Sequence, residues 1–304
     1  MDAMFPLWQK LYSPERHTLF QSFWWNRAAA QVFAQTHPPL IVAIETDNGA
    51  AIIPACIDLS RNRLELLGER LFDYRDVLVS GESDALDLGW EALAELGMPF
   101  ETTAIFGDAP HWGGFHLQPF AAAPRLLRTE ISELYHCKLA RMFRRLIADG
   151  CELRHYTGKQ SSILERIYTL KAQQLAGKIF QDTRCKEMII MAAAASPEQC
   201  DIFTLESAGD LVAALVTFLD STPSGYCRRF YTTYFDERWA RYSPGLALLH
   251  TVSRQSLELG FDCDYMTGEQ PYKLRLATSS VPLFKASASV GAMQRLTAAR
   301  SLAA

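Results

Sequence analysis

Apolar residues recur at helical spacing over 17–35 (HTLFQSFWWNRAAAQVFAQ), and His37-Pro38-Pro39 stops the run. Two β-branched runs, 40–46 (LIVAIET) and 50–58 (AAIIPACID), then flank Asp47-Asn48-Gly49. Asn-Gly supplies the positive φ of a tight turn, so 40–58 reads as a β-hairpin. Strand candidates at 63–67 and 76–79 precede a helix at 83–96 and a strand at 100–106. The stretch 110–124 is rich in proline, glycine and aromatics and reads as an irregular crossing segment. The second half repeats the style. Helices at 161–175 and 186–195 precede strand-like runs at 201–206, 211–219 and 225–234. A helix at 244–259 leads into runs at 263–267 and 281–288. Alternating elements of both kinds give an α/β (α+β) fold class. No sequence repeat relates the halves; only their layout is alike.

A basic amphipathic stretch, 132–150 (SELYHCKLARMFRRLIADG), separates them. Leu139, Met142, Phe143, Leu146 and Ile147 mark its apolar side, and Lys138, Arg141 and Arg145 share a neighbouring face. That row is either a solvated face or a phosphate-contacting surface.

Composition narrows the classes. Lys and Arg number 30 against 34 Asp and Glu, a net charge of −4, which argues against a nucleic-acid partner. One local cluster of donors still suffices for a small anion. The 7 cysteines are odd in number, scattered, and never spaced CxxC, so they read as reduced core thiols and not a disulfide frame. The histidines show no HExxH spacing, and no metal is expected. The N-terminus lacks the basic start and apolar run of a signal peptide. No stretch reaches the roughly 20 apolar residues of a membrane span. A cytoplasmic location is the expectation. Trp8, Phe23, Trp24 and Trp25 read as core or interface residues, with peripheral membrane attachment as the alternative.

The most informative segment is 231–277 (YTTYFDERWARYSPGLALLHTVSRQSLELGFDCDYMTGEQPYKLRLA). A strand ends near Tyr234, a polar and aromatic loop follows, and Ser243-Pro244-Gly245 opens a helix. Serine is a good N-cap, and proline at the first helical position loses no hydrogen bond. Gly245 admits close approach to the backbone. Free N–H groups and the positive dipole end make such a start an anion site, suited to a pyrophosphate, although ordinary capping explains the motif equally.

These residues resemble the CelD-like branch of the GNAT acetyltransferases, which is related to the FemABX aminoacyl transferases. The resemblance rests on Tyr242-Ser243-Pro244-Gly245 with Leu248-Leu249, then Gly260-Phe261-Asp262, then Gly268-Glu269-Gln270-Pro271-Tyr272-Lys273. Upstream, 138–150 is similar to the family's basic linking helix, and 68–79 (GERLFDYRDVLV) to its first-domain segment. The resemblance implies tandem GNAT-like domains, each a mixed central sheet flanked by helices. They would fall at 1–130 and 131–304, with 131–150 as the linking helix and the donor site in the second. It implies an N-acyltransferase with acyl-CoA, or an acyl carrier protein, as donor and a small-molecule, lipid or saccharide amine as acceptor. A non-catalytic tandem-GNAT scaffold and an aminoacyl-tRNA-dependent transferase are the alternatives. Standard GNAT enzymes carry Q/RxxGxG/A in the pyrophosphate loop. Here 241–247 is RYSPGLA, with one glycine, which leaves the donor open.

On that resemblance Tyr242, Ser243, Gly245, Leu246 and Ala247 form the donor-binding loop. Glu269 and Asp264 are candidate bases for the attacking amine. Tyr272 is placed to protonate the leaving thiolate, and Lys273 to contact a phosphate or the developing oxyanion. Asp262 shares a strand face with Asp264 while Cys263 faces the other way and reads as a buried strand residue. Arg228 and Arg229 are either acceptor-recognition residues or surface charges, and His250 reads as packed.

Overall fold

A computed structural model describes residues 1–68, 70–81, 84–133, 137–174 and 179–301. Expected element ends at 83, 132–136 and 175 touch positions outside the described residues. The chain folds as two compact units, one of Met1–Ala121 with Pro282–Ala304 and one of Ala122–Val281. The resemblance implies a single cut after residue 130. The chain instead changes unit twice, and its last strand and helix pack with the first.

In the first unit, α1 (Phe5–Leu11) and α2 (Phe23–Val32) precede the hairpin of β1 (Pro39–Glu45) and β2 (Gly49–Asp58). Strands β3 (Arg63–Leu66) and β4 (Leu78–Gly81), helix α3 (Asp84–Ala94) and strand β5 (Phe100–Ile105) follow. The expected hairpin forms, but neither Asn48 nor Gly49 has positive φ. Glycine serves a different need at 49, because a Cβ there would run into the Ser80 carbonyl of the paired strand β4. Alternate residues of β2 are buried on both faces. Ala51, Ile53 and Ala55 pack with Trp90, Leu93, Phe100 and Trp112, while Ala50 and Ile52 pack with Trp8, Leu11 and Phe23. Two-sided burial explains why β2 reads as a continuous apolar run. Trp8, Phe23 and Trp25 are core residues, and Trp24 alone of that group is exposed.

The chain passes between units in β6 (His116–Leu126), within the stretch expected to be irregular. Pro119 and Pro124 conceal this strand in the sequence. Neither is asked for an N–H by the second unit's ladder, since β6 is recorded pairing there only at Arg125 and Leu126.

The second unit continues with α4 (Cys137–Ala148), β7 (Glu152–Thr157), α5 (Ser161–Gln174) and α6 (Thr183–Ala195). Next come β8 (Cys200–Ser207), β9 (Asp210–Thr222) and β10 (Gly225–Phe235). Helix α7 (Pro244–Glu258), strand β11 (Phe261–Asp264) and helix α8 (Pro271–Leu274) complete it. Strand β12 (Ser279–Ala288) and helix α9 (Val290–Ser301) return to the first unit. Each unit is a mixed sheet flanked by helices. The first runs β1-β2-β3-β5-β12, with β3 parallel to β5; the second runs β6-β11-β10-β9-β8-β7, with β10 parallel to β11. The β10–β11 ladder covers only Tyr226–Arg229 against Phe261–Asp264. Beyond Arg229, β10 runs on to Phe235 along β9, with a register shift between Phe230 and Thr232. A parallel pair that parts midway leaves a cleft at the carboxyl end of β10.

Candidate active site

The cleft is closed on one side by the start of α7. Asp236 begins the turn after β10, its carboxylate accepting the Arg238 N–H at 2.9 Å. The following 3-10 turn, Glu237–Tyr242, delivers the chain to Ser243. Ser243 lies in the left-handed region (φ 46, ψ 53), and its side chain makes no capping bond. This corrects the N-cap expectation. A left-handed backbone turns the hydroxyl off the helix axis, and only the Ser243 carbonyl joins the ladder, accepting the Ala247 N–H at 2.9 Å. The N–H groups of Gly245 and Leu246 therefore have no partner among the described residues. A serine in this conformation costs about 1–3 kcal/mol, a cost that such backbones commonly carry at sites.

A cavity of ≈ 280 Å³ opens there, lined by Thr233, Phe235, Ala240, Ser243, Gly245, Leu246, Leu249 and Tyr272. Its walls are mostly apolar, with the helix-start N–H groups and the Tyr272 phenol as polar points. Burial pushes the Tyr272 phenol above its ordinary pKa, and the Thr233 hydroxyl pulls weakly the other way. Space at Gly245 is tight, since a Cβ there would stand 3.3 Å from the Phe235 ring.

Of the sequence-predicted residues, Ser243, Gly245, Leu246 and Tyr272 meet in this cavity. Tyr242 stands beside it. Its phenol donates to Asp149, which holds the phenol's pKa up, and the Arg241 guanidinium lies 4.6 Å from its ring centre. Ala247 is fully buried in the core of α7 and presents no surface to a ligand. Glu269 is exposed in the turn before α8 and makes no hydrogen bond or ion pair among the described residues. Lys273 is buried, its ammonium donating to the carbonyls of Met266 (3.2 Å) and Thr267 (2.8 Å), so it clamps the loop after β11 and is not a solvated charge.

Asp264 departs furthest from expectation. It is fully buried, and its carboxylate accepts from Arg229 Nη1 at 2.7 Å, Arg125 Nε at 3.1 Å and the Met266 N–H at 2.8 Å. Arg229 also grips Asp220. The carboxylate is committed to two guanidinium groups, which leaves it poorly suited to take a proton from an amine. As expected, Cys263 faces the opposite side, its thiol on the Ser253 carbonyl of α7. Asp264→Asn should cost about 3 kcal/mol of folding stability, because it removes the charge that faces the buried Arg229 and the half-buried Arg125. Urea denaturation reads this as a lower midpoint at constant slope; a loss under about 1 kcal/mol, the size of an ordinary substitution, contradicts the clamp.

Arg228 and Arg229 are both buried. Arg228 bonds Asp201 at 2.6 Å and Ser256 at 2.9 Å and lies between the Phe203 and Phe261 rings. Cys56, Cys151, Cys185, Cys200, Cys227 and Cys263 are free and buried. Burial pushes the Cys227 thiol up to about 12 and Cys263 well above its ordinary value, so neither is poised as a nucleophile. In the first unit His37, Asp58 and Glu65 bring potential ligand atoms within 4.8 Å of one another. Asp58 Oδ1 already accepts from Ser60 and Arg61, and Arg63 lies against both carboxylates, so a guanidinium meets the charge an ion would.

Residues 136–274 match the family model of the acetyltransferase (GNAT) domain. The GNAT-matched segment contains α4 through α8 and every residue that lines the cavity. No curated protein matches the chain. Solved structures share its fold across nearly its whole length. One is a conserved protein of unknown function from Bacteroides thetaiotaomicron (10% identity, covering 94% of this chain and 97% of that chain, TM-score 0.60). Another is L-PGS from Bacillus licheniformis (13% identity, 88% and 91%, TM-score 0.58). A third is FemX (8% identity, 98% and 98%, TM-score 0.54). At these identities the likeness is one of fold.

The sequence named neither Thr233, Phe235 nor Ala240 among the lining residues, and gave Leu249 only as part of the motif. The first two end the strand that leads into the helix-start loop, and that position was the available signal.

Proposed function

We propose that this protein is an N-acyltransferase that takes an acyl group from a thioester and passes it to an amine. The observation that carries this reading is one cavity lined by the unpartnered helix start at Gly245 and Leu246 and by the half-buried Tyr272. The amine gives a proton to Glu269 as its nitrogen attacks the thioester carbonyl carbon, the carbon–sulfur bond breaks, and Tyr272 gives its proton to the departing thiolate. Gly245 and Leu246 offer their backbone N–H groups to the donor's anionic end. Of the two carboxylates proposed as base, Glu269 has free lone pairs and Asp264 does not. The Tyr242–Gly245 and Gly268–Lys273 patterns support the CelD-like branch, and one parallel pair in each sheet supports a GNAT-like reading of both units. No helix of the described residues is long and apolar enough to cross a membrane, and a cytoplasmic location is proposed with the reading.

The test is thiol release from acetyl-, butyryl- and octanoyl-CoA against a panel of primary amines. Turnover saturating in both substrates is expected. No thiol release above the uncatalysed rate with any pair contradicts the reading.

A further inference from the structure

Helix α4 carries charge that the cavity does not use. Leu139 and Leu146 are buried and, with Met142 and Phe143, pack into the core that α7 shares. At 100° per residue Lys138, Arg141, Arg144 and Arg145 fall on the opposite side. All four are exposed, and none makes a hydrogen bond or ion pair among the described residues. Three other exposed arginines of this unit find carboxylates: Arg154 meets Glu152, Arg238 meets Asp210 and Asp236, and Arg254 meets Glu258. Like charges three and four residues apart weaken a helix, so α4 is less stable alone than with an anionic partner.

The helix is also tied to the cavity. Asp149, just past its end, accepts from Tyr242, and the next residue, Ser243, lines the cavity. None of the four cations lines it. A small thioester seated there leaves them untouched, whereas a donor with a body outside and an arm inside meets both. We infer that α4 docks an acidic acyl carrier protein whose phosphopantetheine arm delivers the acyl thioester to the cavity. This rests on the thioester reading of the cavity. Four cations on one short helix match an acidic helix of a protein, whereas an RNA needs a basic surface extending well beyond that. Ile147, 42% exposed, adds an apolar contact at the edge of the patch. In the transfer the acyl carbon joins the amine nitrogen, whose proton passes to Glu269, the carrier's carbon–sulfur bond breaks, and the carrier's thiolate takes the Tyr272 proton.

The test compares octanoyl-loaded acyl carrier protein with octanoyl-CoA on wild type and on the triple variant Lys138→Glu, Arg141→Glu, Arg145→Glu. The variant should raise KM for the carrier by about tenfold or more and leave KM for octanoyl-CoA unchanged. The corresponding triple glutamine variant, which removes charge without reversing it, should show a smaller rise in the same direction. Unchanged carrier KM in both variants, or equal losses with both donors, overturns the docking and leaves the cavity reading intact. Wild type that turns over neither donor overturns the cavity reading and the docking with it. Transfer RNA that binds more tightly than the carrier assigns the patch to RNA and also overturns the docking.

Discussion

Tyr272→Phe should lower kcat for acyl transfer by about 10²–10⁴-fold, the range of a lost general acid, with little change in KM for the thioester. The ring that lines the cavity is kept, so donor packing survives and only the proton is removed. Direction of titration adds a second readout. An acid must be protonated to act, and burial raises the pKa of Tyr272, so its alkaline limb should lie above the ordinary phenol range. Activity governed by this group therefore holds through neutral and mildly alkaline pH and falls only as the raised value is passed. A pH–rate profile of wild type and variant checks this. An unaltered kcat in the variant, or a tyrosine-dependent fall near neutrality, removes Tyr272 from the proton transfer.

Gly245→Glu should weaken binding of acyl-CoA by about a hundredfold or more, because it sets a carboxylate against the donor's anionic end. The fold should survive. An acidic residue in the first turn is favoured by the helix dipole, and the new Cβ asks the Phe235 ring to give by only a few tenths of an ångström. Calorimetric titration beside a urea melt separates binding from stability. Wild-type affinity in a folded Gly245→Glu protein places the anion site elsewhere.

Much of the fold was legible in local pattern. The hairpin across 39–58 followed from its apolar runs, although the need for Gly49 came from β4, a later strand that no turn rule considers. Strand β6 was hidden because Pro119 and Pro124 are breakers in most ladders. The helix start at 244 was visible in Ser243-Pro244, but the left-handed backbone at Ser243 is a product of the turn that leads into it. In the site, the resemblance named Ser243, Gly245, Leu246 and Tyr272, which line one cavity. It could not reveal that Arg125, 139 positions before Asp264, would occupy that carboxylate. Nor could it show that Lys273 would fold back onto the carbonyls of Met266 and Thr267. Those are tertiary contacts, and they decide which acidic and basic groups remain available for chemistry.

The decisive measurement is a crystal structure of the protein with bound CoA. The pantetheine arm should lie in the cavity between β10 and α7, its sulfur within hydrogen-bond reach of the Tyr272 phenol and its pyrophosphate against the N–H groups of Gly245 and Leu246. Coenzyme A seated instead in the cavity lined by His155, Phe203 and Arg228, or held nowhere on this unit, would contradict this placement.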